Sequence, residues 1–181
     1  MDIDAFEIPI IPNWEDLNYS KVPKQHGIIT YLPEGKEQFY GIEFVKFIAE
    51  KHPELKIYIV GNENDSLSLK NVKFLGKLSQ EEMLKLYDKT TILLRIPKHD
   101  GLSLMLLEAL IKGKEVIYCY NFPYTKCATT NEEVDLMLNE IISKPPKLNE
   151  EGHQYIIENY NIDVIRKKLQ SILLNLLNEK G

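Results

Sequence analysis

The sequence is sparing with the residues that build specialised chains: it has 2 Cys, 9 Gly and 9 Pro in 181 residues. Those counts exclude disulfide scaffolds, collagen-like repeats and disordered low-complexity chains. Cys119 and Cys127 follow no metal-ligand spacing and read as ordinary thiols of a reducing compartment. No apolar run approaches the roughly 18 residues of a membrane span. The opening stretch MDIDAFEIPIIPNW lacks a basic segment followed by a cleavable apolar one, so a cytoplasmic location is expected. Positive charge is also short, with 22 Lys+Arg against 27 Asp+Glu and a net charge of -5. That balance speaks against broad nucleic-acid binding.

Familiar site motifs are missing too. No GxGxxG follows the first strand and no GxxxxGK[ST] occurs, which disfavours dinucleotide-dependent dehydrogenases and P-loop NTPases. Ser103 lies in no GxSxG elbow, and His26, His52, His99 and His153 show no metal-ligand clustering.

What remains is ordinary for a globular chain, with 44% apolar and 27% charged residues. The length suits one domain with a sizeable core. Residues 1–26 form an irregular leading segment, broken by Pro9, Pro12 and Pro23. Short β-rich runs follow at GIITYL (27–32), LKIYIVG (55–61), Val72–Leu75, TILLRI (91–96) and EVIYCY (115–120). Between them lie helical patterns. Glu37–Lys51 is expected to be one helix, ended by His52-Pro53. Another opens at Ser79, where Ser79 and Glu82 form a capping box. A third runs from about Gly101 to Lys112, with Gly113 as its stop. The stretch around Asn121–Thr130 reads as irregular. Helices are expected over Asn131–Ser143, Glu150–Asn159 and from about Asn161 onward.

Strands that alternate with helices, and are apolar throughout, predict a doubly wound α/β domain built on a parallel sheet. In such folds ligands bind beyond the carboxyl ends of the strands. The richest junction is IPKHDGLSLMLLEAL (96–110). Lys98, His99 and Asp100 leave the strand, and Gly101 would let a ligand approach the backbone. The amides of Gly101, Leu102, Ser103 and Leu104 would then begin a helix, a natural seat for phosphate. Glu108 lies about two turns in, on a helix that otherwise reads as buried. A carboxylate there is costly unless it is bonded. Two partners are open to it: the hydroxyls of a ribose, or a neighbouring turn or lysine of the chain itself. Tyr118, Tyr120 and Tyr124 read as core and rim rather than as a sugar platform.

At this point the order of segments resembles a known family. It is similar to the C-terminal, donor-binding domain of retaining glycosyltransferases with the GT-B fold, the group 1 set. Four segments carry the likeness. IIPNWED (10–16) is similar to IPNGVD, and GIEFVKFIAEKHPELKIYIVG (41–61) to a helix and strand ending P-x-L-x-I-V-G. VKFLGKLSQEEMLKLYDKTTILL (72–94) resembles V-x-F-L-G-x-V with a following helix, and DGLSLMLLEALIKGKEVI (100–117) resembles EGFGLVLLEAMACGKPVI. Together they cover nearly all of the chain after Ile8.

The resemblance implies a Rossmann-like, nucleotide-sugar-binding domain over 27–160, followed by extra C-terminal helices, the last spanning 161–181. It implies transfer of a sugar from a nucleoside-diphosphate sugar (UDP-, GDP- or ADP-linked) to an acceptor hydroxyl, with retention, no cofactor and no metal. Within it an E-x7-E motif frames the donor site, here Asp100 and Glu108, both taken as catalytic. Glu108 would bond the ribose hydroxyls, Asp100 would face the transferred sugar, and the amides of Gly101–Leu104 would cradle the diphosphate. Gly76, Lys77 and Leu78 would seat the base. Lys98, Lys36 or Arg95 could neutralise phosphate, because the family's Arg and Lys are absent: Leu32, Pro33 and Tyr40 stand in their places.

The family's N-terminal, acceptor-binding half has no counterpart in this sequence. The chain is therefore expected to be a fragment, or a donor domain needing a partner chain, with little activity alone. Peripheral attachment to a membrane is compatible with the full-length context. Exposed apolar residues on the last helix would face the other half, or support a homodimer, or simply pack on the sheet. The rival from another class is a degenerate nucleotide-binding or interaction module. A flavodoxin- or receiver-like domain would want an acidic cluster or an FMN loop after the early strands, and none is present.

Overall fold

Two central, almost wholly buried strands organise the molecule. In β1 (Gly27–Tyr31) and β4 (Ile92–Arg95) all residues but Tyr31 are buried, as expected for parallel strands covered on both sides. The computed structural model describes residues 16–178, so most of the segment 10–16 quoted above lies outside the described residues. β2 (Lys56–Val60) and β3 (Val72–Phe74) extend the sheet beyond β1, and β5 (Glu115–Tyr118) and β6 (Lys126–Cys127) extend it beyond β4. The order is β3-β2-β1-β4-β5-β6 and every pairing is parallel. Strand order therefore reverses between β1 and β4, where Ile28 is in register with Ile92.

Alternation along the strands feeds two cores. Ile28, Ile57, Ile92, Leu94 and Ile117 pack on one face with Val45 and Ile48 of α1 (Ile42–Lys51) and Val134 and Leu138 of α4 (Asn131–Ile142). Ile29, Leu93 and Val116 face the other way. They meet Leu86 and Tyr87 of α2 (Gln80–Tyr87), Leu106 and Leu110 of α3 (Leu104–Ile111), and Ile156 of α5 (Glu150–Tyr160). Each such fully buried Leu or Ile contributes ~1.5–3 kcal/mol of apolar transfer energy. The final helix, α6 (Ile162–Asn178), buries Ile165 but leaves Leu169, Leu173, Leu174 and Leu177 exposed.

The capping box is formed: Ser79 Oγ accepts from the Glu82 amide at 3.3 Å, and the Glu82 carboxylate accepts from the Ser79 amide at 2.8 Å. Three expectations are corrected. α1 starts at Ile42, not Glu37, because Gly41 sits at φ +83 and a Cβ there would collide with the Ile96 carbonyl oxygen. Residues 36–41 instead form a hydrogen-bonded turn, docked on the next loop by a 2.8 Å bond from the Lys98 amide to the Phe39 carbonyl. α3 starts at Leu104, not Gly101, since Ser103 is extended and acts as its cap. β6 lies inside the stretch read as irregular; a two-residue strand carries no periodic signal, and its pairing with Ile117 and Tyr118 defines it.

Candidate functional site

The carboxyl end of β4 opens at the reversal of strand order, the place where open α/β sheets bind ligands. There Arg95, the last residue of β4, is buried except for 9% of its side chain. Its Nε donates to Asp100 Oδ2 at 2.7 Å. The guanidinium lies 5.5 Å from the centre of the Tyr40 ring, a cation–π contact made possible by the turn before Gly41. Asp100 is thus engaged by its own chain.

Gly101 follows, exposed, and a Cβ there would meet no atom within 4 Å. Its carbonyl accepts from the Tyr118 hydroxyl at 2.9 Å, which ties the loop to β5. Burial, first, and the charge of Asp100, second, raise the Tyr118 hydroxyl well above the ordinary tyrosine range, so it stays a donor. Leu102 is half-buried, and Ser103 is buried with its Oγ accepting from the Leu106 amide at 3.4 Å. Because α3 starts at Leu104, the amides at its N-terminus are those of Leu104–Leu106, and only the first belongs to the four expected from sequence. Lys98 is exposed and contributes its amide to Phe39.

Asp100, Gly101 and Leu102 share a cavity of about 570 Å³ with His99, Tyr118 and Tyr120. The Tyr120 hydroxyl lies 3.3 Å from His99 Nδ1.

Glu108 faces the other side of α3. Its Oε2 accepts from the Tyr87 hydroxyl at 3.3 Å, and its other oxygen makes no hydrogen bond among the described residues. Burial raises its pKa above the usual glutamate range, against smaller opposing effects from the Tyr87 hydroxyl and the Lys112 charge. Lys112, one turn on, is committed elsewhere: its Nζ bonds Asp16 Oδ2 at 2.7 Å and the Asn18 carbonyl at 3.1 Å. Glu108 is therefore a half-buried carboxylate with spare acceptor capacity, and no cation among the described residues is bonded to it.

Gly76, Lys77 and Leu78 lie beyond β3. Gly76, at φ +69, exchanges backbone bonds with Gly61 at 2.7 Å and Asn62 at 2.9 Å. The Glu63 side chain lies over it, 2.6 Å from where a Cβ would stand. Lys77 is exposed and Leu78 half-buried against the α2–α3 core. No hydrogen bond links this loop to Asp100 or Glu108 among the described residues.

Sequence reasoning missed Tyr87 as a site residue. Nothing in the spacing of Tyr87 and Glu108 reveals a contact made across two helices. Among the described residues no three or more His, Cys, Asp or Glu side chains gather as a metal site, and no helix is long and apolar enough to cross a membrane.

No protein-family model matches this sequence, and no curated protein sequence matches it. Its fold, however, is shared with solved glycosyltransferases. Against sucrose-phosphate synthase from Thermosynechococcus elongatus the TM-score is 0.74 at 16% identity, over 95% of this chain and 52% of that one. Against the pneumococcal O-GlcNAc transferase GtfA, solved with UDP and GlcNAc, it is 0.63 at 19% identity, over 89% of this chain and 38% of that one. A C-terminal domain of a group 1 family glycosyltransferase from Francisella tularensis aligns with a TM-score of 0.50 at 18% identity, over 82% of this chain and 88% of that domain. The chain spans about half or less of the two full-length enzymes. Its fold is the Rossmann-like one of a GT-B domain, which bears out the expected fold class.

Proposed function

We propose that the chain is the donor-binding domain of a retaining glycosyltransferase, which moves a sugar from a nucleoside-diphosphate sugar to an acceptor hydroxyl. One observation carries this: Glu108, half-buried on α3, the helix that begins at the ligand end of the sheet, has acceptor capacity that no cation among the described residues uses. A vicinal diol is the neutral donor pair that matches it, and a ribose supplies one.

In this mechanism the departing diphosphate is the group whose charge must be stabilised. The free amides at the start of α3 and the partial positive charge of that helix end supply preorganised donors. No residue of this chain needs to transfer a proton to the nucleotide. We place the acceptor and the remaining catalytic groups on a second domain, so the isolated chain binds nucleotide weakly and transfers little sugar.

A second reading, a nucleotide-binding or interaction module without catalysis, is favoured by the loops after β1 and β2. They carry Glu34, Glu37 and Glu63 in a region where a diphosphate would want cations.

Calorimetric titration with UDP, GDP and ADP, repeated on Glu108→Ala, tests the proposal. Saturable binding of one nucleotide, weakened about tenfold or more in the variant, supports it. A nucleotide that binds equally well to Glu108→Ala would sink the assignment of Glu108 to the ribose.

A further inference from the structure

A groove of about 520 Å³ lies between α2 and the outer strands β2 and β3, and lysines from separate parts of the chain converge on it. Lys56 opens β2, Lys70 precedes β3, Lys73 lies within β3, Lys85 is on α2 and Lys89 follows α2. All of them are exposed. Lys85 bonds Glu81, but the ammonium groups of the other four make no hydrogen bond or ion pair among the described residues. Glu82, the one acid lining the groove, is held in the capping box by the Ser79 amide and hydroxyl. The chain as a whole carries a net charge of -5, so positive charge is segregated here. A cleft lined by one sign of charge concentrates the field that attracts the opposite sign. The floor is apolar. Tyr58 and Lys73 are in register, so both stand on the sheet face that carries α2. Tyr58, Leu75 and Leu78 are half-buried there, packed on the core around Leu86. β3 also ends the sheet, with β2 as its one strand partner among the described residues.

We propose that this groove docks an acidic, extended segment of a partner protein. An extended chain sends alternate side chains to opposite sides. One row can then enter the floor beside Tyr58 and Leu75 while carboxylates meet the lysines. Three features favour this occupant. The lysines surround a recess with an apolar floor, whereas a flat anionic bilayer would meet only the rim. The cations are all lysines, and none presents the planar fork that suits arginine to nucleic-acid phosphates. The outer side of β3 leaves main-chain groups for an added strand, a recurrent mode of peptide capture. The groove touches the proposed donor site at Leu78 alone, and this docking role does not rest on the donor reading.

The probe is a fluorescein-labelled synthetic peptide of alternating Glu and Val, titrated by fluorescence anisotropy against the full chain at low salt. Saturable binding is expected, and it should weaken as added salt screens the charges. The variant Lys70→Glu/Lys73→Glu/Lys89→Glu is expected to bind at least about tenfold more weakly. A control, Lys24→Glu/Lys46→Glu/Lys167→Glu, changes the net charge equally at exposed lysines outside the groove. It is expected to stay within about twofold of the wild type. Circular dichroism melts accompany each variant. If charge reversal in the groove unfolds the chain, Lys70→Gln/Lys73→Gln/Lys89→Gln removes the charges without adding new ones, and it must also weaken binding. No saturable binding of the peptide overturns the proposal, as does an equal loss in the groove variant and the control. Phosphatidylglycerol vesicles and a single-stranded oligonucleotide are titrated in parallel. Binding of either through these lysines, in place of the peptide, overturns it too.

Discussion

The Tyr87 hydroxyl, at the end of α2, donates a 3.3 Å hydrogen bond to Glu108 Oε2 in the middle of α3. Tyr87 is 2% exposed, and its own ionisation is pushed far up by burial and then by the Glu108 charge, so its proton stays in place. A buried hydroxyl thus holds a carboxylate that the surrounding core disfavours.

Stability and ligand binding should therefore pull in opposite directions at this residue. The folded pKa of Glu108 lies above that of the unfolded chain, so the folded state holds its proton more tightly. The stabilisation this gives is present below the ordinary glutamate range and is lost as pH rises through the folded value. Glu108→Gln should accordingly melt higher than the wild type at pH 7, with the difference shrinking toward pH 4. The same variant should bind nucleotide about tenfold more weakly. Paired thermal melts and titrations check both.

Lys114 gives a second pH signature. It is 2% exposed, donates to the Thr90 carbonyl at 2.6 Å, and burial depresses its pKa to about 8. Between about 8 and the ordinary lysine value the unfolded chain holds more protons than the folded one, so stability rises with pH there. Below that window both states are charged and the penalty for burying the ammonium is fully present. Urea unfolding should show the wild type gaining on Lys114→Met from pH 8 to 10. A constant difference would mean that Lys114 titrates normally. Subtracting the variant removes the contributions of Tyr118 and Cys119, whose folded values are raised and act oppositely at alkaline pH.

Gly41→Ala should be among the more damaging small substitutions. The φ of +83 disfavours any side chain, and the added methyl would strike the Ile96 carbonyl at the root of the site loop. A loss of about 1–3 kcal/mol is expected by chemical denaturation. Nucleotide binding should weaken as well, because the turn that carries Tyr40 onto Arg95 is displaced.

Ser79→Ala removes one half of the capping box of α2 and should cost about 1 kcal/mol, read from the denaturation midpoint. Nucleotide affinity should barely change if the box only terminates the helix. A large loss would show that the loop after Gly76 depends on it.

Chelation should leave nucleotide affinity unchanged, since the amides at the start of α3 are proposed to carry the diphosphate. A titration that collapses in EDTA and recovers with magnesium would overturn the metal-independent reading.

Much of this was legible without coordinates, for physical reasons that differ from element to element. The runs Ile92–Leu94 and Val116–Tyr118 announce buried parallel strands because both faces of such a strand are covered and its side chains are apolar. Ser79 with Glu82 marks a helix start because the two bonds of a capping box close within four residues. Glu108 stands out because a carboxylate in an apolar helix demands a partner. These are all properties of neighbours along the chain. Tertiary structure decided the rest. Gly41 interrupts a pattern that looked helical because its backbone is left-handed there, close against the Ile96 carbonyl, and β6 exists only through pairing with β5. Tyr87, 21 residues from Glu108, and Tyr40, folded over Arg95, became site residues through contacts that no local periodicity encodes. Whether Asp100 met a ligand or its own Arg95 could not be read from their spacing, because a strand end and the following loop can place two side chains together or apart. The loop after β4, on which the turn at 36–41 docks, folds back so that Asp100 meets Arg95.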